Sequence, residues 1–271
     1  MGRTHAVSAL AAVMAIVTFA PAFGKQLFGV AGGILLVIFS IDLVGSSLIP
    51  DLDNTASTAK SSLGLIGDVL SSIIRAISAF VQTTVRTRRD KPDPDPHRGA
   101  FHTIPAAALS GFLAWFATRA KMPVTLPLIG HETAGYFFGI FITAIMLHLA
   151  IAGIAKPLLK TLSGRSKTSD LLMFGISFLI TYLLFTRVHY TNFNWIGMAI
   201  FLGCSIHVFG DCFTTMGAPI LFPLTVWLKG KFWYNTRFLP IKAGGTIENV
   251  IFAPFFMLVT LGCILKLLHV Y

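Results

Sequence analysis

The chain has 271 residues, of which 55% are hydrophobic and only 12% charged, and 21 Lys+Arg against 11 Asp+Glu leave a formal charge of +10. Soluble domains carry about 25% charged residues, so roughly half the usual polar coat is missing, which excludes an ordinary cytosolic enzyme and a disordered chain. Three cysteines, Cys204, Cys212 and Cys263, show no metal-site spacing and exclude a disulfide-stapled module; they read as packing residues.

In chain order, apolar runs occupy residues 6–23, 27–49, 104–118, 135–155, 171–186, 193–213 and 250–268. A helix needs about 20 residues to cross the hydrocarbon layer, with a range of about 17–25. Six to seven spans are therefore expected, the third and fifth being short. The first run admits another reading, because Ala20-Pro21-Ala22 has the small residues of a signal-peptide cleavage site and residues 1–22 would then be removed. A single arginine precedes the run and a second long run follows at once, which favours an uncleaved span. The expected fold class is all-α: a polytopic transmembrane helical bundle, one integral-membrane domain over residues 1–271.

Seven spans put the N-terminus and loops 50–103, 156–170 and 214–249 on one side, which holds 16 of the 21 basic residues. By the positive-inside rule that side is cytoplasmic, as in a multi-pass protein of the inner membrane. Most of the positive charge then sets orientation and needs no anionic ligand.

The longest loop carries an insertion at 54–96. Within 61–82, Ile66, Val69, Leu70, Ile73, Ile74, Ile77, Phe80 and Val81 recur at helical spacing, with Asp68, Ser71, Ser72, Arg75 and Ser78 on the other face. Such an amphipathic helix either packs on the protein's own surface or lies in the lipid interface. A basic, then Pro-rich loop at 86–98 follows. It offers a contact to anionic lipid, to nucleic acid or to a regulator protein, although such a run commonly only marks the cytoplasmic side.

Polar residues at the ends of apolar spans require a reason. Five places stand out on the side read as cytoplasmic: His5; Pro50-Asp51-Leu52-Asp53; His97-Arg98-Gly99-Ala100-Phe101-His102; His207 with Asp211; and Glu248. Each has a bland reading. Asp51 and Asp53 suit a turn or helix cap, His97 an exposed loop, His207 and Asp211 a hydrogen-bonded pair on one helical face, and Glu248 a helix start. Taken together they read as one metal centre. Imidazole and carboxylate ligands suit a divalent ion, Zn first and Mn or Fe as alternatives, and the set suffices for one or two ions. Asp42 and His148 lie within spans and stand apart from this group.

These residues also carry a resemblance. The chain resembles the YdjM-like family of membrane-bound, metal-dependent hydrolases, described as inner-membrane associated and linked by name to LexA binding. The likeness lies in Thr4-His5, in the P-D-x-D at Pro50–Asp53, in His97-Arg98-Gly99-Ala100-Phe101-His102-Thr103, and in His207 followed by Asp211, Thr214, Gly217 and Pro223. It implies that His5, Asp51, Asp53, His97, His102, His207 and Asp211 bind metal, with Glu248 a looser member. A more distant likeness to zinc-dependent phospholipase C points to phosphoesters. The expected activity is hydrolysis of a phosphoester or other ester, including one carried by a lipid, by metal-activated water at the membrane surface. Asp51 or Asp53 would act as general base, and Arg98 would neutralise a phosphate. A transporter and a non-catalytic scaffold are the alternatives.

Overall fold

Each of the seven apolar runs carries a helix in the computed structural model, which describes residues 2–19, 32–90, 98–127, 129–159, 167–187, 193–239 and 241–270. In chain order the helices are α1 (Gly2–Phe19), α2 (Gly32–Ser46), α3 (Thr58–Ser62), α4 (Gly64–Thr84), α5 (Ile104–Ala117), α6 (Ala134–Leu159), α7 (Lys167–Phe185), α8 (Asn194–Asp211), α9 (Thr225–Lys229) and α10 (Ala253–Val270). Among the described residues five stretches are long and apolar enough to cross a membrane: Gly2–Phe19, Ile34–Asp53, Gly64–Thr84, Ala134–Ile154 and Glu248–Lys266. The apolar helices Ile104–Ala117, Asp170–Phe185 and Trp195–Asp211 are shorter. At 14 residues, α5 measures about 21 Å against a hydrocarbon layer of about 30 Å. Its start is fixed by Thr103, whose hydroxyl accepts from Ala106 N at 3.2 Å, with Pro105 in the first turn.

The expected all-α bundle is present, and α2 is its centre. Leu35, Ile38, Phe39 and Leu43 are buried on it, and it packs on α1, α6 and α8. In turn α8 packs on α5, α7 on α6, and α10 on α1. Without a hydrophobic drive between helices in lipid, small residues permit the close contacts. A Cβ added to Gly45 would lie 2.1 Å from Met146 O of α6, and one on Gly203 of α8 would lie 2.3 Å from Leu43 O. The one piece of sheet among the described residues is a hairpin, β1 (Pro123–Leu126) with β2 (Gly130–Thr133), pairing Pro123 with Thr133 and Leu126 with Gly130.

Three tight turns place the polar residues. The 3-10 turn Pro50–Asp53 follows α2, the 3-10 turn Ala100–His102 leads into α5, and the π-turn Glu248–Phe252 opens α10. The C-terminal ends of α2 and α8 thus meet the N-terminal ends of α1 and α5 at one end of the bundle. The amphipathic stretch expected at 61–82 is divided: α3 stops and α4 begins at Gly64, whose φ of +56° is the left-handed conformation that glycine accepts.

Candidate metal centre

Separate segments deliver one buried group. His207 and Asp211 are four residues apart at the end of α8 and so share a face. Pro50 begins a turn held by Leu52 N→Ile49 O at 3.0 Å and Asn54 N→Asp51 O at 3.0 Å, which carries Asp51 and Asp53. His102 closes its own turn through its N–H to Gly99 O at 3.1 Å, and His5 comes from the first turns of α1. His102 and His207 are wholly buried, and Asp51, Asp53, Asp211, Arg98 and His5 are each at most 5% exposed.

Three atoms form a near-equilateral triangle. His102 Nε2 lies 3.3 Å from His207 Nε2, 3.4 Å from Asp211 Oδ2, and the third edge, His207 Nε2 to Asp211 Oδ2, is 3.5 Å. Tetrahedral ligands about 2.0–2.1 Å from a zinc ion stand roughly 3.3–3.4 Å apart, so the triangle has the size of one face of a metal site. Asp51 Oδ1 is 3.7 Å from His207 Nε2, and Asp51, His102 and His207 form a group whose ligand atoms lie within 4.8 Å of one another. A second such group is His5, His207 and Asp211. There His5 Nε2 is 3.4 Å from Asp211 Oδ1, and the His5 and His207 rings stack at 3.9 Å.

His207 and His5 are both hydrogen-bonded to the Asp211 carboxylate, and the ring orientations bear on whether a metal ion fits the same atoms. A carbonyl can only accept, so the 2.7 Å contact of His207 Nδ1 with Ser47 O puts a proton on Nδ1. When the ring is neutral this tautomer turns the Nε2 lone pair inward, and when it is protonated Nε2–H donates to Asp211. Asp53 Oδ2 stands 3.4 Å from His102 Nδ1 and favours the same tautomer there. Two inward lone pairs and a carboxylate oxygen at 3.3–3.5 Å repel one another unless a proton or a metal cation lies among them. The donor set therefore fits a divalent ion.

Arg98 is turned into the protein. Its guanidinium Nη2 is 3.2 Å from Asp211 Oδ1, while Nη1 donates to Thr214 Oγ1 and, at 3.2 Å, to Gly217 O. The backbone adopts φ 63° to reach this position, a conformation costing a non-glycine residue about 1–3 kcal/mol. Thr214 Oγ1 donates to Asp211 O at 2.7 Å and accepts from Gly217 N at 3.3 Å. Gly217, at φ +70°, leaves room for Thr236 O, which a Cβ would approach to 2.5 Å. The Thr and Gly of the motif thus build the turn that receives Arg98.

Glu248 sits beside this group. Its Oε2 accepts from Gly244 N at 2.7 Å, its carboxylate is hydrogen-bonded to the Thr4 side chain, and it is outside both ligand groups. His97 lies outside the described residues. Asp42 Oδ2 accepts from Thr143 Oγ1 at 3.2 Å, and His148 Nε2 donates to Ser62 O at 2.8 Å, so both fasten α6 to its neighbours. Cavities of about 400 Å³ and 540 Å³ open on the α5–α8 seam and on α7, away from the His/Asp group. The sequence gives no sign of the Ser47 carbonyl, a backbone atom whose role depends only on where α2 ends.

Apolar spans around a closed His/Asp group at one end define a polytopic membrane protein with buried groupings suited to a metal ion. The chain belongs to the YdjM inner membrane protein family, whose profile matches residues 1–155 and 155–269. No curated protein and no solved structure matched.

Proposed function

We propose that the protein is a metal-dependent hydrolase acting on a phosphoester or other ester at the cytoplasmic surface of the inner membrane. The observation that carries this reading is the triangle of His102 Nε2, His207 Nε2 and Asp211 Oδ2 at 3.3–3.5 Å, with both ring nitrogens turned inward by partners behind them. His102, His207 and Asp211 would hold the ion, with Asp51 beside them. A divalent ion in such a set supplies Lewis acidity, which acidifies water and neutralises an oxyanion.

The other roles follow from contacts. Asp53 orients His102 from behind. Asp51 is the carboxylate nearest the centre after Asp211 and is the candidate general base. The Arg98 guanidinium beside Asp211 Oδ1 puts positive charge where a second ion would bind, which favours one ion and makes Arg98 a positioning residue for Asp211. His5 packs on His207 and completes the wall. Of the groups that a transport path would use, Asp42 Oδ2 and His148 Nε2 each make one internal hydrogen bond.

The test is a panel of phosphodiesters, phosphomonoesters and phospholipids offered to the purified protein with and without chelator. Chelator-sensitive hydrolysis that disappears in His102→Ala is expected. Bound metal with no turnover of any ester would overturn the enzyme reading and favour a scaffold.

A further inference from the structure

Helix α4 orders its sides in a way that docking on a protein in water does not explain. Residues advance by about 100° around a helix. Gly67, Ser71 and Ser78 form one buried stripe, set against the turns Pro50–Asp53 and Ala100–His102, and Ser78 Oγ accepts from Ala100 N at 3.3 Å. On one flank of that stripe Asp68, Ser72 and Thr83 are exposed. On the other, Ile66, Val69, Ile73, Ile77 and Phe80 are 46–68% exposed. A surface helix in water turns its apolar side to the protein. Here the small residues make the contact together with Leu70 and Ile74 at their edge, and the rest of the apolar side is left open.

Protein at the flank, polar side one way and apolar side the other is the arrangement of a helix lying along a boundary between water and hydrocarbon. The neighbouring segment repeats it. On α9, Trp227 is 84% exposed beside exposed Leu224 and Leu228. The loop after α4 is clipped to this segment: Asp90 accepts from Phe232 N at 3.2 Å and Trp233 N at 3.0 Å, and Thr87 Oγ1 donates to Gly230 O at 3.0 Å. Arg86, Arg88 and Arg89 are exposed in this clipped loop and Lys229 is exposed at the end of α9, with Arg89 Nη1 close to Gly230. Among the described residues the acids of this region are engaged, Asp90 being buried and Asp68 lying 3.1 Å from Lys60. Tryptophan with basic residues around an apolar face is the signature of the headgroup layer, and the charge selects an anionic one.

We infer that α4 lies in the headgroup layer of an anionic leaflet, its apolar side toward the acyl chains and α9 beside it. The inference is independent of the metal reading, and its test leaves the His/Asp group untouched. Full-length protein is reconstituted in phosphatidylcholine vesicles containing phosphatidylglycerol. Ile73→Cys, Ile77→Cys, Asp68→Cys and Ser72→Cys are spin-labelled one at a time; the native cysteines are buried. Collision with oxygen, which partitions into lipid, is compared with collision with a water-soluble nickel chelate.

Labels at 73 and 77 are expected to be severalfold more accessible to oxygen than to nickel, and labels at 68 and 72 the reverse. Nickel access at all four positions means water around the helix and overturns the inference. Protection from both probes at 73 and 77 means a protein partner, and oxygen access at all four means a spanning helix; either overturns it too. Moving the Ile77→Cys protein to vesicles of phosphatidylcholine alone should raise nickel access severalfold. Unchanged access there would overturn the anionic preference.

Discussion

At the residue scale the proposed centre depends on what stands behind each candidate ligand. His207 is aimed by a backbone carbonyl, Ser47 O, and His102 by the Asp53 carboxylate. Asp53→Asn keeps the shape and removes the charge, so metal affinity should fall about 10–100-fold in competition with a chromophoric chelator, while His102→Ala should retain almost no ion. Equal affinity in Asp53→Asn and wild type would contradict the orienting role. The motifs made the candidate residue types legible, but not this arrangement of them. Asp51 and Asp53 are two residues apart in one turn, and only the direction of each carboxylate decides which meets the centre. Arg98 is similar: its charge suggested a phosphate, whereas a left-handed backbone turns the side chain onto Asp211, Thr214 and Gly217. Asp90 gives a pH prediction. Burial alone would raise its carboxyl pKa, but N–H donors from Thr87, Trp233 and Phe232 and the Thr87 hydroxyl hold it below its ordinary value. A lowered folded pKa stabilises the clip fully above the unfolded value of about 3.9 and loses that contribution as pH falls through the folded value. The protection of the Phe232 and Trp233 amides, exchange being taken relative to the intrinsic rate at each pH, should therefore fall below about pH 4, and in Asp90→Ala it should be low already at pH 7. Wild-type protection indifferent to that titration would show that other contacts hold the loop.

At the element scale, hydrophobic run length made the helices legible, because a lipid-facing helix must be apolar for most of its length. It did not reveal the order of packing. That α2 is central depends on glycines that let backbones touch, and the same run pattern would suit several arrangements. Gly203→Ala tests it: a Cβ would meet Ser46 Oγ at 2.1 Å and Leu43 O at 2.3 Å, and the second is backbone that cannot rotate away. A loss of about 1–3 kcal/mol is expected, read as a lower midpoint of unfolding in detergent; an unchanged midpoint would mean that α2 and α8 pack less closely than described. The hairpin β1–β2 escaped notice because two four-residue strands carry too little alternation to stand out between long apolar runs. Amphipathicity showed that residues near 61–82 form a helix, but only the burial of Gly67, Ser71 and Ser78 shows which side meets the protein.

At the scale of the whole molecule, scarcity of charge did most to make the site legible. With 11 acids in 271 residues, several that share one end of the bundle with three histidines are conspicuous before any contact is known. Their convergence needed the fold, since His5, Asp53, His102 and Asp211 are far apart in sequence. The positive-inside rule leads us to propose that this end faces the cytoplasm, so a thiol introduced at exposed Arg88 should react with a membrane-impermeant reagent in inverted vesicles and not in intact cells; the reverse pattern would turn the protein over. The central claim is that the His/Asp group holds one divalent ion. The most direct measurement is elemental analysis of the purified protein beside His207→Ala and Asp211→Asn, both checked for retained helix content. The account predicts one ion per chain in the wild type and almost none in either variant. A folded wild type without an ion, or variants that keep it, would contradict the account.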